Sequence, residues 1–259
     1  MEVVVVGSED ELGELAAEVV AGLLADRPDA VLGLATGSSP LPLYRALARR
    51  VAAGLDLRRV RGFALDEYVG LPPDHPAGYH RVILEEVVEP LGLDPAAVAV
   101  PDGAATDVRA ACAAYEAAIA AAGGVDLQVL GIGSDGHVGF NEPGSSLASR
   151  TRIKTLTDRT REDNRRFFAE GEDVPRHCLT QGIGTILEAR HLLLLASGAG
   201  KAAAVAAAVE GPVSARCPAS AIQLHPHVTV VVDEAAAGDL ELVDYYRETF
   251  AHKPSWQGF

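Results

Sequence analysis

Residues 125–143 read VDLQVLGIGSDGHVGFNEP. The apolar run at 125–130 has the make-up of a buried strand, and residues 131–136 then satisfy G-x-G-x-x-G, the spacing of a dinucleotide-binding turn. Such a turn should open a long helix and meet an acidic residue about 20 positions later. Here Gly139 and Pro143 follow too closely for a good helix to continue. The stretch therefore predicts a strand ending in a glycine-loosened loop rather than a cofactor cradle. Asp135, His137 and Glu142 fall on that loop, one imidazole with two carboxylates near enough to orient and polarise it. The plainer alternative is a capping Asp, a surface His and a solvated Glu.

Outward from this strand, apolar runs at 2–6, 31–35, 61–65, 97–100, 191–195 and 228–232 alternate with helical patterns at 41–51, 105–122 and 202–209. Ser8 and Glu11 form an S-x-x-E capping box ahead of a helix whose Leu12, Leu15, Ala16, Val19 and Leu23 share one face. The pattern predicts an α/β protein: an open, mostly parallel sheet with helices on both faces, a modified Rossmann-like arrangement in a single domain spanning 1–259. Ligands of such sheets bind outside the carboxyl ends of the strands, so the segments after each run are the ones to inspect.

After the second run comes ATGSSP, whose Thr36, Gly37, Ser38 and Ser39 lead into a helix and favour an anion, although the Gly-Lys-Ser/Thr of a nucleotide loop is missing. After the third, Asp66 and Glu67 are adjacent carboxylates, either a general base or a solvated acidic loop. After the sixth, Lys201 opens an alanine-rich helix, where its charge opposes the dipole and implies an anion to meet it. Arg161, Arg165 and Arg166 add positive charge in an acidic chain.

A formal charge of −14 disfavours nucleic acid as a partner. No apolar run is long enough to span a bilayer, which predicts no membrane partner. MEVVVVGSED has no basic segment before its apolar run, which argues against a secretory signal and for the cytoplasm. Cys112, Cys178 and Cys217 show no paired spacing and read as packing residues rather than redox or metal groups.

In their order, LATGSSP, LDEYVGLP, GIGSDGHVGFNEPGSSLASRTRIKTLT, NRRFF, GKAAAVAAAVEG and QLHPHVTVVVDE resemble the glucosamine-6-phosphate deaminase (glucosamine-6-phosphate isomerase) family across most of residues 31–234. The resemblance implies conversion of glucosamine 6-phosphate and water to fructose 6-phosphate and ammonia, with no organic cofactor and no catalytic metal. It makes Asp66 the base at carbon 2 and His137 the proton carrier in ring opening, assisted by Asp135 and Glu142. It assigns the phosphate to Lys201, Arg166 and the Gly37-Ser38-Ser39 turn. It also implies a helical lid near 155–184 and, in allosteric members, a second sugar-phosphate site between subunits matching Ser145, Arg152, Lys154 and Thr155, hence a homo-oligomer as one arrangement. Three alternatives stay open: a galactosamine-6-phosphate deaminase, a 6-phosphogluconolactonase-like hydrolase, and a sugar-phosphate sensor without turnover.

Overall fold

The computed structural model describes residues 1–254 and 256–259. In chain order the first elements are β1 (Glu2–Val6), α1 (Glu9–Asp26), β2 (Val31–Leu34), α2 (Leu41–Ala52), β3 (Arg61–Ala64) and β4 (Asp66–Tyr68). Helix α3 (Tyr79–Ile83) runs through a π-helical turn, Leu84–Val88, into α4 (Glu89–Leu91). Then come β5 (Val98–Ala99), α5 (Val108–Ala121), β6 (Leu127–Leu130), β7 (Arg152–Thr155), α6 (Asp158–Asn164) and β8 (His177–Thr180). The chain closes with α7 (Ile183–Ile186), β9 (His191–Ala196), α8 (Ala202–Val209), β10 (Val228–Asp233) and α9 (Val243–Ala251).

All seven runs read from the sequence enter one sheet, in the order β1-β10-β9-β6-β2-β3-β5, with every neighbouring pair parallel. Strands β2, β6 and β9 are buried at every residue, so both sheet faces are covered. The run at 97–100 shrinks to Val98–Ala99, a short edge strand. Ser8 caps α1 by accepting from the Glu11 N–H at 3.2 Å, but the Glu11 carboxylate reaches past Ser8 to the N–H of Gly7 at 2.7 Å.

Strand order reverses between β2 and β6: from β2 the chain builds outward through β3 and β5, and from β6 the other way through β9, β10 and β1. That is the crevice where open parallel sheets take ligands. At the opposite edge Asp126, just before β6, accepts from the N–H of Val31 at 2.8 Å and from Arg27 and Arg190 at 2.5 and 2.9 Å. It ties the starts of β2, β6 and β9 together.

A second, antiparallel sheet of order β4-β8-β7 stands over this crevice. Only Leu65 separates β3 from β4, so the chain leaves one sheet and enters the other at once. In register, Asp66 lies opposite Thr180 and Thr180 opposite Arg152. No helix among the described residues is long and apolar enough to cross a membrane.

Candidate active site

The loops leaving β2 and β6 meet in the crevice, where a Cβ on Gly131 would come within 3.3 Å of the Ser39 side chain. They bound a cavity of about 690 Å³. Thr36, Gly37, Ser38 and Ser39 form one wall, Asp66 and His137 another, and Lys201 and Arg166 the cationic remainder. Residues 36 to 201 thus converge although no two of these segments are neighbours in sequence.

Asp66 is 4% exposed. As the first residue of β4 it is buried, not on the solvated loop that its DEY context also allowed. Burial first and the neighbouring Glu67 second push its carboxyl well above the usual carboxylate range, opposed by the backbone N–H of Phe140. Glu67 points the other way and accepts from the N–H groups of Tyr68, Tyr79 and His80 at 2.7 to 2.9 Å, satisfying the open start of α3. The two adjacent carboxylates thus divide: one faces the cavity, the other holds its wall.

His137 Nδ1 is 2.6 Å from Asp135 Oδ1, and the His137 N–H donates to the same oxygen at 3.2 Å. The hydrogen bond from His137 keeps the Asp135 carboxyl down at about 2, so Asp135 stays ionised and accepts the Nδ1 proton. Nε2 is then the nitrogen left for chemistry. The glycines have steric work here: a Cβ at Gly133 would strike the His137 ring at 2.1 Å, and one at Gly139, whose φ is +55°, would meet Asp66 Oδ2 at 3.2 Å. The fingerprint spacing serves side-chain approach, not a pyrophosphate.

Lys201 stands at the entry to α8, with burial pulling its ammonium below the usual lysine value and Asp135 opposing that. Arg166 lies on the short 3-10 turn Arg165–Phe167 with its guanidinium 4.7 Å from the centre of the Phe167 ring. Of the three arginines noted in this segment only Arg166 lines the cavity; Arg161 donates to the Val174 carbonyl and Arg165 pairs with Glu162. Among the described residues no three His, Cys, Asp or Glu side chains converge as metal ligands.

Residues 8–231 match the family model described as glucosamine-6-phosphate isomerases/6-phosphogluconolactonase. The chain belongs to this family. It is 64% identical over 258 residues to a glucosamine-6-phosphate deaminase of Pseudarthrobacter chlorophenolicus and 65% identical over 260 residues to one of Streptomyces coelicolor, covering all of both chains in each case. Among solved structures it superposes with a TM-score of 0.89 and 41% identity on a monomeric glucosamine-6-phosphate deaminase, over 92% of this chain and all of that one. A 6-phosphogluconolactonase from Trypanosoma cruzi shares the fold, with a TM-score of 0.75 at 21% identity over 93% of this chain and 97% of that one.

Within the family fold, the extent of the expected lid needs correction, and Glu142 has partners that the sequence did not suggest. Glu142 is buried and accepts through one carboxylate oxygen, Oε1, from Thr157 Oγ1 at 2.9 Å, from the Thr157 N–H at 3.2 Å and from the Thr160 hydroxyl. Tight turns after Val138 carry its side chain to the start of α6, whose open N–H groups attract a carboxylate. The expected lid is shorter than 155–184, because His177–Thr180 is β8, pinned between β4 and β7 with Thr180 fully buried. What lies over the cavity is α6 and the turn after it, tied back by His75 to Glu172 at 2.5 Å. Ser145, Arg152, Lys154 and Thr155 lie outside the cavity, and strand alternation puts Thr155 on the opposite side of β7 from Arg152 and Lys154.

The sequence reading passed over the residues that join these parts. Asn141, fully buried, donates to the carbonyls of Val138 and Gln181 and accepts from Arg152 Nη1 at 2.9 Å. The Phe140 N–H donates to Thr180 Oγ1 at 3.1 Å, stitching the His137 loop to β8. Tyr68 and Tyr79 line the cavity beside Asp66, their ring centres 5.0 Å apart. Aromatics next to a strand read as core from sequence, which is why neither stood out.

Proposed function

We propose that this chain converts glucosamine 6-phosphate and water to fructose 6-phosphate and ammonia. One observation carries the reading: a buried carboxylate, an Asp-oriented imidazole and a paired cationic grip with a hydroxyl-rich turn share a single cavity. Lys201, Arg166 and the 36–39 turn hold the phosphate, a remote anchor that fixes carbon 2 over Asp66. His137 Nε2 takes the proton of the C1 hydroxyl and delivers it to the ring oxygen as the C1–O5 bond breaks. Asp66 then removes the C2 proton and returns it to C1, while a proton from the substrate's ammonium group passes to the C1 oxygen and makes it the hydroxyl. The nitrogen is left as an imine on C2, which water hydrolyses to the ketone with loss of ammonia.

Asp66 has to be ionised for this, and its surroundings resist that. The substrate's own ammonium group, arriving beside it, is a counter-charge that favours the carboxylate. Thr157 and Thr160 engage only Oε1 of Glu142, which leaves its Oε2 to assist His137 in ring opening. The steps assign no role to a cofactor or metal, and the three unpaired thiols fit a reducing cytoplasm.

A second anion site at Ser145, Arg152 and Lys154, with Thr155 at its margin, is part of the proposal. Ser145 Oγ and Arg152 Nη2 are both buried without a hydrogen-bond partner, which favours a ligand rich in acceptors. The deciding measurement is ammonia release from glucosamine 6-phosphate, galactosamine 6-phosphate and loss of 6-phosphogluconolactone in parallel, each with and without N-acetylglucosamine 6-phosphate. Ammonia from the glucosamine ester at the highest kcat/KM is expected; lactone hydrolysis alone, or binding without turnover, overturns the reading. Size-exclusion with the N-acetylated ester reads whether copies associate.

A further inference from the structure

Tyr68 is a side chain of this cavity that the steps above leave unused. It follows Asp66 by two positions in β4, so alternation turns both toward the cavity, while Glu67 between them faces α3. Its ring is fixed by Tyr79, Phe140 and Phe168, with centroids at 5.0, 5.5 and 5.5 Å. The residue is only 1% exposed, and its hydroxyl proton finds no acceptor; the Tyr79 side chain stands beside it on the donor side. A buried hydroxyl left in this state is destabilising, and phenylalanine would fill the same space without it. Burial pushes the phenol above the usual tyrosine range, so it remains an O–H donor in search of an acceptor.

The proton transfer creates that acceptor. When Asp66 takes the C2 proton, the C–H electron pair moves into the C1–C2 bond and the carbonyl π pair moves onto the C1 oxygen. A base working beside a carbonyl needs a donor at the oxygen where charge collects. Side chains rooted roughly 7 Å apart on one strand face can converge on adjacent atoms of a sugar. Resting on the deaminase reading, we propose that the Tyr68 hydroxyl donates a hydrogen bond to the C1 oxygen of the opened sugar while Asp66 removes the C2 proton.

The test is Tyr68→Phe in the full chain, with three readouts: steady-state ammonia release, calorimetric binding of 2-amino-2-deoxyglucitol 6-phosphate, and melting temperature. The sugar alcohol is open-chain and carries no C1 carbonyl, so no charge develops on its oxygen. The variant should lose about 10²–10³-fold in kcat. It should bind the alcohol within about threefold of the parent, the mark of an interaction made chiefly in the transition state. It should melt no lower than the parent, because an unsatisfied donor has been removed. A kcat within about threefold of the parent overturns the assignment, as does a loss of alcohol affinity equal to the loss in kcat. If the parental protein turns over and only the variant comparison fails, the assignment alone falls. If the parent releases no ammonia, the deaminase reading falls and takes the assignment with it.

Discussion

Asp66 shows how a reactive group is held against its own preference. Its carboxyl is raised by burial, so the folded chain binds that proton more tightly than the unfolded chain does. The stability this contributes is full below the ordinary aspartate value and is lost as pH rises through the raised folded value. Asp66→Asn should therefore abolish ammonia release yet raise the melting temperature at pH 7 to 8, with the difference closing near pH 4; melts across that range check it. A variant less stable than the parent at neutral pH would mean that the charged form is the one the fold favours. His137 and Lys201 stood out in the sequence, one beside two carboxylates and the other a charge set against a helix dipole. Asp66 was singled out only by the family resemblance, its local context allowing a solvated acidic loop as well. Tyr68 did not stand out, since only a hydroxyl proton without an acceptor sets it apart, and that is a property of the folded surroundings.

Helix α6 is the element most exposed to change. Thr157 caps it by accepting from the Thr160 N–H at 3.2 Å, and Glu142 gathers both hydroxyls from below. Thr160→Val removes one of those donors at nearly constant volume, weakening the docking by about 1–2 kcal/mol. Amide exchange across 157–168 should then speed up roughly tenfold while the β6 and β9 amides keep parental rates. Parental exchange throughout would show that Glu142 does not hold this helix. The parallel strands could be read from apolar runs because β2, β3, β6, β9 and β10 are fully or mostly buried, while β1 and β5 at the two sheet edges are only partly so. The antiparallel sheet could not: β4 has three residues, and its pairing joins Asp66 to Thr180 across more than a hundred positions of chain, a contact no local pattern announces.

At the scale of the whole molecule, reaction chemistry and structural reinforcement occupy opposite edges of one sheet. Asp126 holds three strand starts at the edge away from the cavity, so Asp126→Ala should remove about 2–3 kcal/mol of stability. The melting temperature should fall by roughly 4–12 °C with kcat/KM at 25 °C unchanged. A matching fall in kcat/KM would show that the two edges are coupled. The alternation of strands and helices predicted this division in outline; the clamp itself escaped notice because its partners lie 64 to 99 positions apart in sequence. The small sheet works differently. Asp66, Thr180 and Arg152 face one another across its three strands, so only two inter-strand steps, roughly 10 Å, separate the strand of Arg152 from that of Asp66. Paired backbone is stiff against sliding, so the ladder itself keeps the outer strand and the strand of Asp66 at a fixed separation, with no helix needed to brace them.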